Sequence, residues 1–338
     1  MSSDTQVFSE IDFDSDGKHA GYLRVPHSVH RSAYGWIPLP VISIRNGTGP
    51  VVLLLGGNHG DEFEGQVALS RLAKALDPEQ LHGQVIILPM ANYPAARAGH
   101  RTSPLDDGNL NRSFPGNPRG GPTAIIAHYI ESELLARADY LLDIHSGGSS
   151  MRYRPTLLMA SHEQPVDQDR GMKLLLALGF PRAVLYPESL RDAYSTSAAR
   201  RNNAIGITAE MAGGGSVDRE AMSLLEGALI HYLGACGALR DPPELIPANT
   251  EIFRVTPDSS YCYAYHEGVF EPAVSIDDDV TTGQLAGWIH LPDVPLTDPQ
   301  PLKFNTDGRV LSMRVPARVE RGDCLFELGI LREQDSPI

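Results

Sequence analysis

Val51-Val52-Leu53-Leu54-Leu55 is the segment that most limits what this chain can become. Five apolar residues run straight into Gly56-Gly57 without a polar interruption. A strand with one wet face alternates polar and apolar positions. An unbroken run needs cover on both faces, the situation of a parallel sheet between helical layers. Val85–Leu88, Leu141-Leu142-Asp143-Ile144 and Ile205–Glu210 read the same way, and Tyr22–Val25, Ile37–Arg45, Thr156–Met159 and Ala183–Tyr186 are further strand-like pieces. Helical spacing lies between them. Within Gln66–Leu76 the apolar positions are 68, 69, 72, 73 and 76; Pro122 opens a stripe of Ile126, Ile130 and Leu134; Met172–Leu178 and Arg219–Leu233 follow. Strands alternating with helices predict an α/β fold with a doubly wound, mostly parallel sheet.

The pattern changes after Gly237. Asp241-Pro242-Pro243-Glu244 and Pro247 read as a linker, and from Ile252 onward only short β-like pieces remain, punctuated by Gly, Pro and Asp. The expected organisation is an α/β domain over 1–240 and a smaller all-β domain over 250–332, with Glu333–Ile338 as a loose tail. A length of 338 residues suits two such units.

Charge narrows the partners. Lys and Arg total 28 against 42 Asp and Glu, a net charge of −14, which is a poor match for a phosphate backbone and argues against nucleic acid. The run Leu174 to Phe180, broken by Gly179, falls far short of the ~20 apolar residues of a membrane span. Cys236, Cys262 and Cys324 are few, odd in number and widely spaced, and Met1-Ser2-Ser3-Asp4 opens without a basic or apolar signal region. A soluble cytoplasmic protein is expected. A homo-oligomer is compatible with the sequence.

Four segments carry chemistry. In Gly56-Gly57-Asn58-His59-Gly60-Asp61-Glu62, His59 and Glu62 are three apart at the turn between a buried strand and a helix, the carboxyl edge where open α/β sheets bind ligands. Both are zinc-ligand types, although HxxE alone also fits a plain polar loop. His145, in Asp143-Ile144-His145-Ser146, ends another buried strand and is expected at the same edge; two histidines and a carboxylate leave a fourth zinc position open, as catalytic sites do. His145 taken singly could equally be an ordinary strand-end histidine, as the remaining ten histidines are read. Glu210 closes a buried strand just before Gly213-Gly214-Gly215, where a carboxylate must pair with a cation or face a cleft. Beside a zinc-activated water it could move a proton. Asn111 and Arg112 lie in the loop Gly108-Asn109-Leu110-Asn111-Arg112-Ser113, a surface loop or a carboxylate clamp. Asp277-Asp278-Asp279 reads as a solvated turn, not a metal site.

In this order (GxxHGxE, NLNR, DIH, a strand-terminal Glu) the motifs resemble the succinylglutamate desuccinylase/aspartoacylase family, a branch of the zinc carboxypeptidase-like fold, over roughly residues 40–235. The resemblance implies one Zn2+ per chain on His59, Glu62 and His145, with Glu210 as general base and Asn111 and Arg112 binding the substrate carboxylate. It also implies a β domain over the active site. Two departures stand out. Where family members commonly carry an Asp that orients a histidine ligand, this chain has Asn109, an uncharged partner. Where an oxyanion-stabilising arginine is expected the chain has Pro104; Arg101 is the nearest candidate, and Arg200 matches a substrate-binding arginine by position only.

The expected activity is removal of an acyl group, acetyl by preference, from the α-nitrogen of a small amino acid. A basic side chain such as that of 2,4-diaminobutyrate suits the acidic chain better than aspartate or succinylglutamate, whose second carboxylate needs a second cation. A metallocarboxypeptidase and a non-catalytic binding protein are the competing readings. No GxSxG, HExxH, P-loop or strand-linked GxGxxG motif supports another chemistry.

Overall fold

In the computed structural model, residues 5–161, 164–187, 192–244, 249–256 and 259–332 are described. Up to residue 211 the strands are β1 (Phe8–Ser9), β2 (Gly17–Pro26), β3 (Trp36–Asn46), β4 (Val51–Gly56), β5 (Gly83–Leu88), β6 (Tyr140–Ser146), β7 (Met151–Tyr153), β8 (Thr156–Ala160), β9 (Arg182–Tyr186) and β10 (Ile205–Met211). Among the described residues six α-helices join or follow them: α1 (Phe63–Ala75), α2 (Tyr93–Ala98), α3 (Pro122–Tyr129), α4 (Pro165–Ala177), α5 (Ser195–Arg201) and α6 (Arg219–Ala235).

The apolar runs are buried on both faces for the reason their composition implies. Val52 and Leu54 of β4, with Leu142 and Ile144 of β6, pack under α1, α4 and α6. Leu53 and Leu55, with Leu141, point the other way into a second core under α3 and α5. Alternate residues of one strand feed two cores, so no position can be polar without a partner.

At the sheet's centre β5, β4, β6 and β10 run parallel, as do β8, β9 and β11 (Glu251–Arg254), and β8 enters antiparallel to β10. Antiparallel strands extend it at both ends, so the mostly parallel sheet expected from sequence is the middle of a larger mixed one. The short helices α2 and α5 were not legible as helices, since neither reaches two full turns of amphipathic spacing.

Past residue 254 the remaining strands are β12 (Tyr261–Tyr263), β13 (Gly268–Pro272), β14 (Asp279–Val280), β15 (Leu285–His290), β16 (Gln300–Lys303), β17 (Gly308–Arg314), β18 (Arg318–Val319) and β19 (Cys324–Leu331), with no helix among the described residues. Four of them form a separate antiparallel sheet in the order β16-β15-β13-β18. The others join the main sheet: β11 pairs with β9 on one side and β19 on the other, β17 pairs with β19, and β7 reaches across to β17. The interval 241–250 therefore separates α6 from β11 in sequence, while hydrogen bonding passes unbroken from β9 to β19. The expected tail, 333–338, lies outside the described residues. No helix among the described residues is long and apolar enough to cross a membrane.

Candidate metal centre and active site

The turn after β4 depends on its glycines. Gly57 adopts φ +63°, and a Cβ on Gly60 would stand 2.0 Å from the Ala95 carbonyl carbon, so both positions require glycine. The Gly60 amide also donates to the His100 carbonyl (2.8 Å), which lays the segment carrying Arg101 against this turn.

His59, Glu62 and His145 converge, fully buried, with one ligand atom each within 4.8 Å of the others. Glu62 places Oε1 2.7 Å from His59 Nδ1 and Oε2 2.7 Å from His145 Nδ1, and the two Nδ1 atoms are 3.2 Å apart. The outer ring nitrogens are held from behind: His59 Nε2 lies 3.1 Å from the Asn109 side-chain oxygen and His145 Nε2 lies 3.0 Å from Asp143 Oδ2. An imidazole that donates Nε2–H outward presents a bare lone pair at Nδ1. Two such lone pairs and a carboxylate therefore face one point, an arrangement that calls for a cation. Burial lowers the pKa of His59. It also opposes charge on His145, but Asp143 and Glu62 outweigh it and raise that pKa well above the imidazole range, so the proton at His145 Nδ1 is one that a cation at the cluster would displace. The donor set, two imidazoles and one carboxylate with one side open to a cavity, fits zinc.

That cavity has a volume of about 420 Å³. Glu210 lines it from β10, in parallel register with His145 on β6. Its Oε2 is buried without a hydrogen-bond partner, and burial, reinforced by the Glu62 carboxylate, raises its pKa well above the carboxylate range. Asn111 and Arg112 line the cavity as well. The Asn111 oxygen accepts from the Ser195 amide (3.0 Å), and the exposed Arg112 guanidinium stands 4.2 Å over the Tyr194 ring. Arg101 reaches the metal cluster, 3.4 Å from both Glu62 Oε1 and His59 Nδ1. Arg200 does not line the cavity; it lies 3.9 Å from Asp192 at the C-terminal end of α5. Asp61 is occupied elsewhere, accepting from the Ser149 amide and hydroxyl (2.8 and 2.7 Å) and so fixing the loop after β6. In the acidic run, Asp277 pairs with Arg154 and Arg182 and Asp279 with Arg309.

Two features escaped the sequence reading. Asp143 was passed over within the DIH motif, although residues two apart on a strand share a face and an Asp there stands behind the His. The other is which residues of the expected β wall reach the cavity: Tyr261, Ser312, Cys324 and Glu327.

The fold and the site together define a class: an α/β protein with a buried His–Glu–His cluster able to hold a metal at the carboxyl edge of its sheet and a buried, unpartnered carboxylate beside it in a cavity. Within that class, residues 48–235 match the succinylglutamate desuccinylase/aspartoacylase catalytic domain, and the chain belongs to this family. It is 37% identical over 324 residues to the N-α-acetyl-L-2,4-diaminobutyric acid deacetylase of Halomonas elongata, covering 94% of this chain and 93% of that protein. Among solved structures it resembles the product-bound ectoine utilization protein EutE (DoeB) of Ruegeria pomeroyi, with a TM-score of 0.92, 34% identity, and 96% and 99% of the two chains covered. A succinylglutamate desuccinylase/aspartoacylase from Rhodobacter sphaeroides gives a TM-score of 0.91 at 35% identity, covering 97% and 100%.

Proposed function

We propose that this chain is a zinc-dependent amidohydrolase that converts N-α-acetyl-L-2,4-diaminobutyrate to 2,4-diaminobutyrate and acetate. The observation that carries the reading is the opening of His59, Glu62, His145 and Glu210 onto one cavity, with Asn111 and Arg112 at its margin. The near end-to-end similarity to a deacetylase of that substrate supports the choice of acyl group and amino acid.

His59, Glu62 and His145 would hold the zinc. Bound there, it supplies Lewis acidity toward the amide carbonyl and acidifies water. Arg112 and Asn111 grip the α-carboxylate, which presents the neighbouring amide to the cluster. Glu210 takes a proton from the attacking water and delivers it to the leaving nitrogen as the carbon–nitrogen bond breaks; its raised pKa suits both halves of that task. Arg101 is the residue we assign to the carbonyl oxygen as negative charge grows there.

Residues 1–240 are assigned as the catalytic unit of a zinc carboxypeptidase-like fold and 250–332 as the β unit that walls the cavity. That wall disfavours the long peptides of a carboxypeptidase. A cytoplasmic location accords with three free cysteines. The test is a panel of N-acetyl-diaminobutyrate, N-acetylaspartate, succinylglutamate and a C-terminal peptide, run with metal analysis. Stoichiometric zinc and the highest kcat/KM on the acetylated diamine are expected; chelator-insensitive activity, or a higher kcat/KM on either acidic substrate, overturns the reading.

A further inference from the structure

Glu327 lies in the middle of β19, within Cys324-Leu325-Phe326-Glu327-Leu328, and is only 3% exposed. Burying a carboxylate is costly unless a cation pairs with it. Its partners are three phenols. Tyr186 and Tyr261 donate their hydroxyls to Oε1 (2.8 and 3.3 Å), and Tyr153 donates to Oε2 (3.0 Å). Hydroxyls satisfy lone pairs but bring no positive charge, and Glu327 takes part in no ion pair among the described residues. Arg314, on the neighbouring strand β17, pairs with Asp323 (2.8 Å), and Arg101, across the cavity, pairs with Glu62 (3.4 Å).

This uncompensated carboxylate faces the same cavity as Glu210 and the metal cluster. Tyr153 ties the two walls together, because its amide donates to the Ala212 carbonyl (2.9 Å), two residues past Glu210, while its hydroxyl holds Glu327. We infer that Glu327 and its three tyrosines form the subsite for a cationic substrate side chain, the ammonium group of a short diamino acid. This rests on the amidohydrolase reading above and supplies its specificity. An ammonium has three N–H donors and no acceptor, and a carboxylate ringed by phenol oxygens offers it acceptor atoms. The α-carboxylate toward Arg112 and the side-chain ammonium toward Glu327 would each meet an opposite charge. An acidic side chain in that place would meet a like charge, which excludes aspartate and glutamate derivatives by repulsion as well as by lack of a partner.

The experiment compares N-α-acetyl-L-2,4-diaminobutyrate with N-α-acetyl-L-norvaline, whose side chain has the same length but ends in methyl. Wild-type zinc-loaded enzyme should favour the diamine in kcat/KM. In Glu327→Gln that preference should shrink by about 10- to 100-fold, mainly through KM, as expected for loss of one charge-assisted contact. A preference unchanged within threefold in the folded variant overturns the inference and leaves the deacetylase reading standing. Absence of hydrolysis of either compound by wild type overturns the deacetylase reading itself. Should Glu327→Gln fail to fold, wild-type product inhibition decides: 2,4-diaminobutyrate must inhibit at least tenfold more strongly than norvaline, and equal inhibition refutes the subsite.

Discussion

Asp143→Asn tests whether the carboxylate behind His145 sets metal affinity. Asp143 is fully buried, and one oxygen, Oδ2, takes three donors: Asn58 Nδ2 (2.8 Å), the Ser195 hydroxyl and His145 Nε2 (3.0 Å). Its other oxygen has no partner. An amide can put its own oxygen at the Oδ2 position and keep all three donors. Its NH2 group then falls where nothing accepts, at a cost of about 1–3 kcal/mol for a buried unsatisfied donor. The charge is lost too, and with it the pull that makes His145 Nδ1 a strong ligand; such partners are typically worth about 10- to 100-fold in metal affinity. The variant should unfold a few degrees lower without metal, and chelator competition should show zinc held about 10- to 100-fold more weakly. Ser195→Ala removes one donor and no charge, so its zinc affinity should fall much less. Zinc affinity within twofold of wild type in a folded Asp143→Asn protein would refute the argument that Asp143 tunes the ligand.

Asn109→Asp places a charged acceptor behind His59, where an amide oxygen now sits at 3.1 Å, and should tighten zinc by up to about tenfold in the same competition assay. Glu210→Gln should retain its zinc while kcat falls by about 10²–10⁴, the usual worth of a positioned acid–base group; near-normal turnover would move the proton shuttle elsewhere. Because Arg112 is exposed, Arg112→Ala should raise KM by about tenfold, the low end for a charged hydrogen bond, with a smaller change in kcat. Asp106 accepts from the Thr123 amide and hydroxyl (2.8 and 2.7 Å) at the start of α3, and these bonds outweigh burial and lower its pKa. A lowered folded-state pKa gives stability that is present above the unfolded value and lost as pH falls through the folded one. Asp106→Ala should therefore cost about 1 kcal/mol near neutral pH, in the range of a helix cap, and little at strongly acidic pH, as read by denaturant unfolding.

The parts of this molecule legible in its sequence are those governed by short-range rules. Buried parallel strands announce themselves because neither face tolerates water, and strand ends in such a sheet share one edge, so His59, Glu62, His145 and Glu210 could be brought together on paper. Glu327 could not. Its place at the cavity depends on β19 pairing with β11, β12 and β17, partners up to 78 residues away in the chain, and no spacing rule encodes that meeting. A signal was nevertheless present: one carboxylate inside the apolar run of β19 is the kind of expensive position that needs a reason. Arg200 shows the reverse failure. Counting ten residues back from Glu210 finds an arginine, and the helical period even sets it on the same face of α5 as the cavity-lining Thr196 and Ser197; yet it stands a turn further along the helix, 3.9 Å from Asp192 and outside the cavity lining.

The seam between β9 and β11 has a bearing on how this protein can be cut. Residues Arg182–Tyr186 of β9 are almost entirely buried, and their outer backbone groups are satisfied by Glu251–Arg254. A fragment ending near residue 240 would hold His59, Glu62, His145 and Glu210, yet it would display a bare apolar strand border able to recruit the same strand of another molecule. Such a fragment should precipitate or associate rather than behave as a minimal enzyme. The later third of the chain thus acts as a built-in guard against self-adhesion, which would oblige both parts of the gene to travel together.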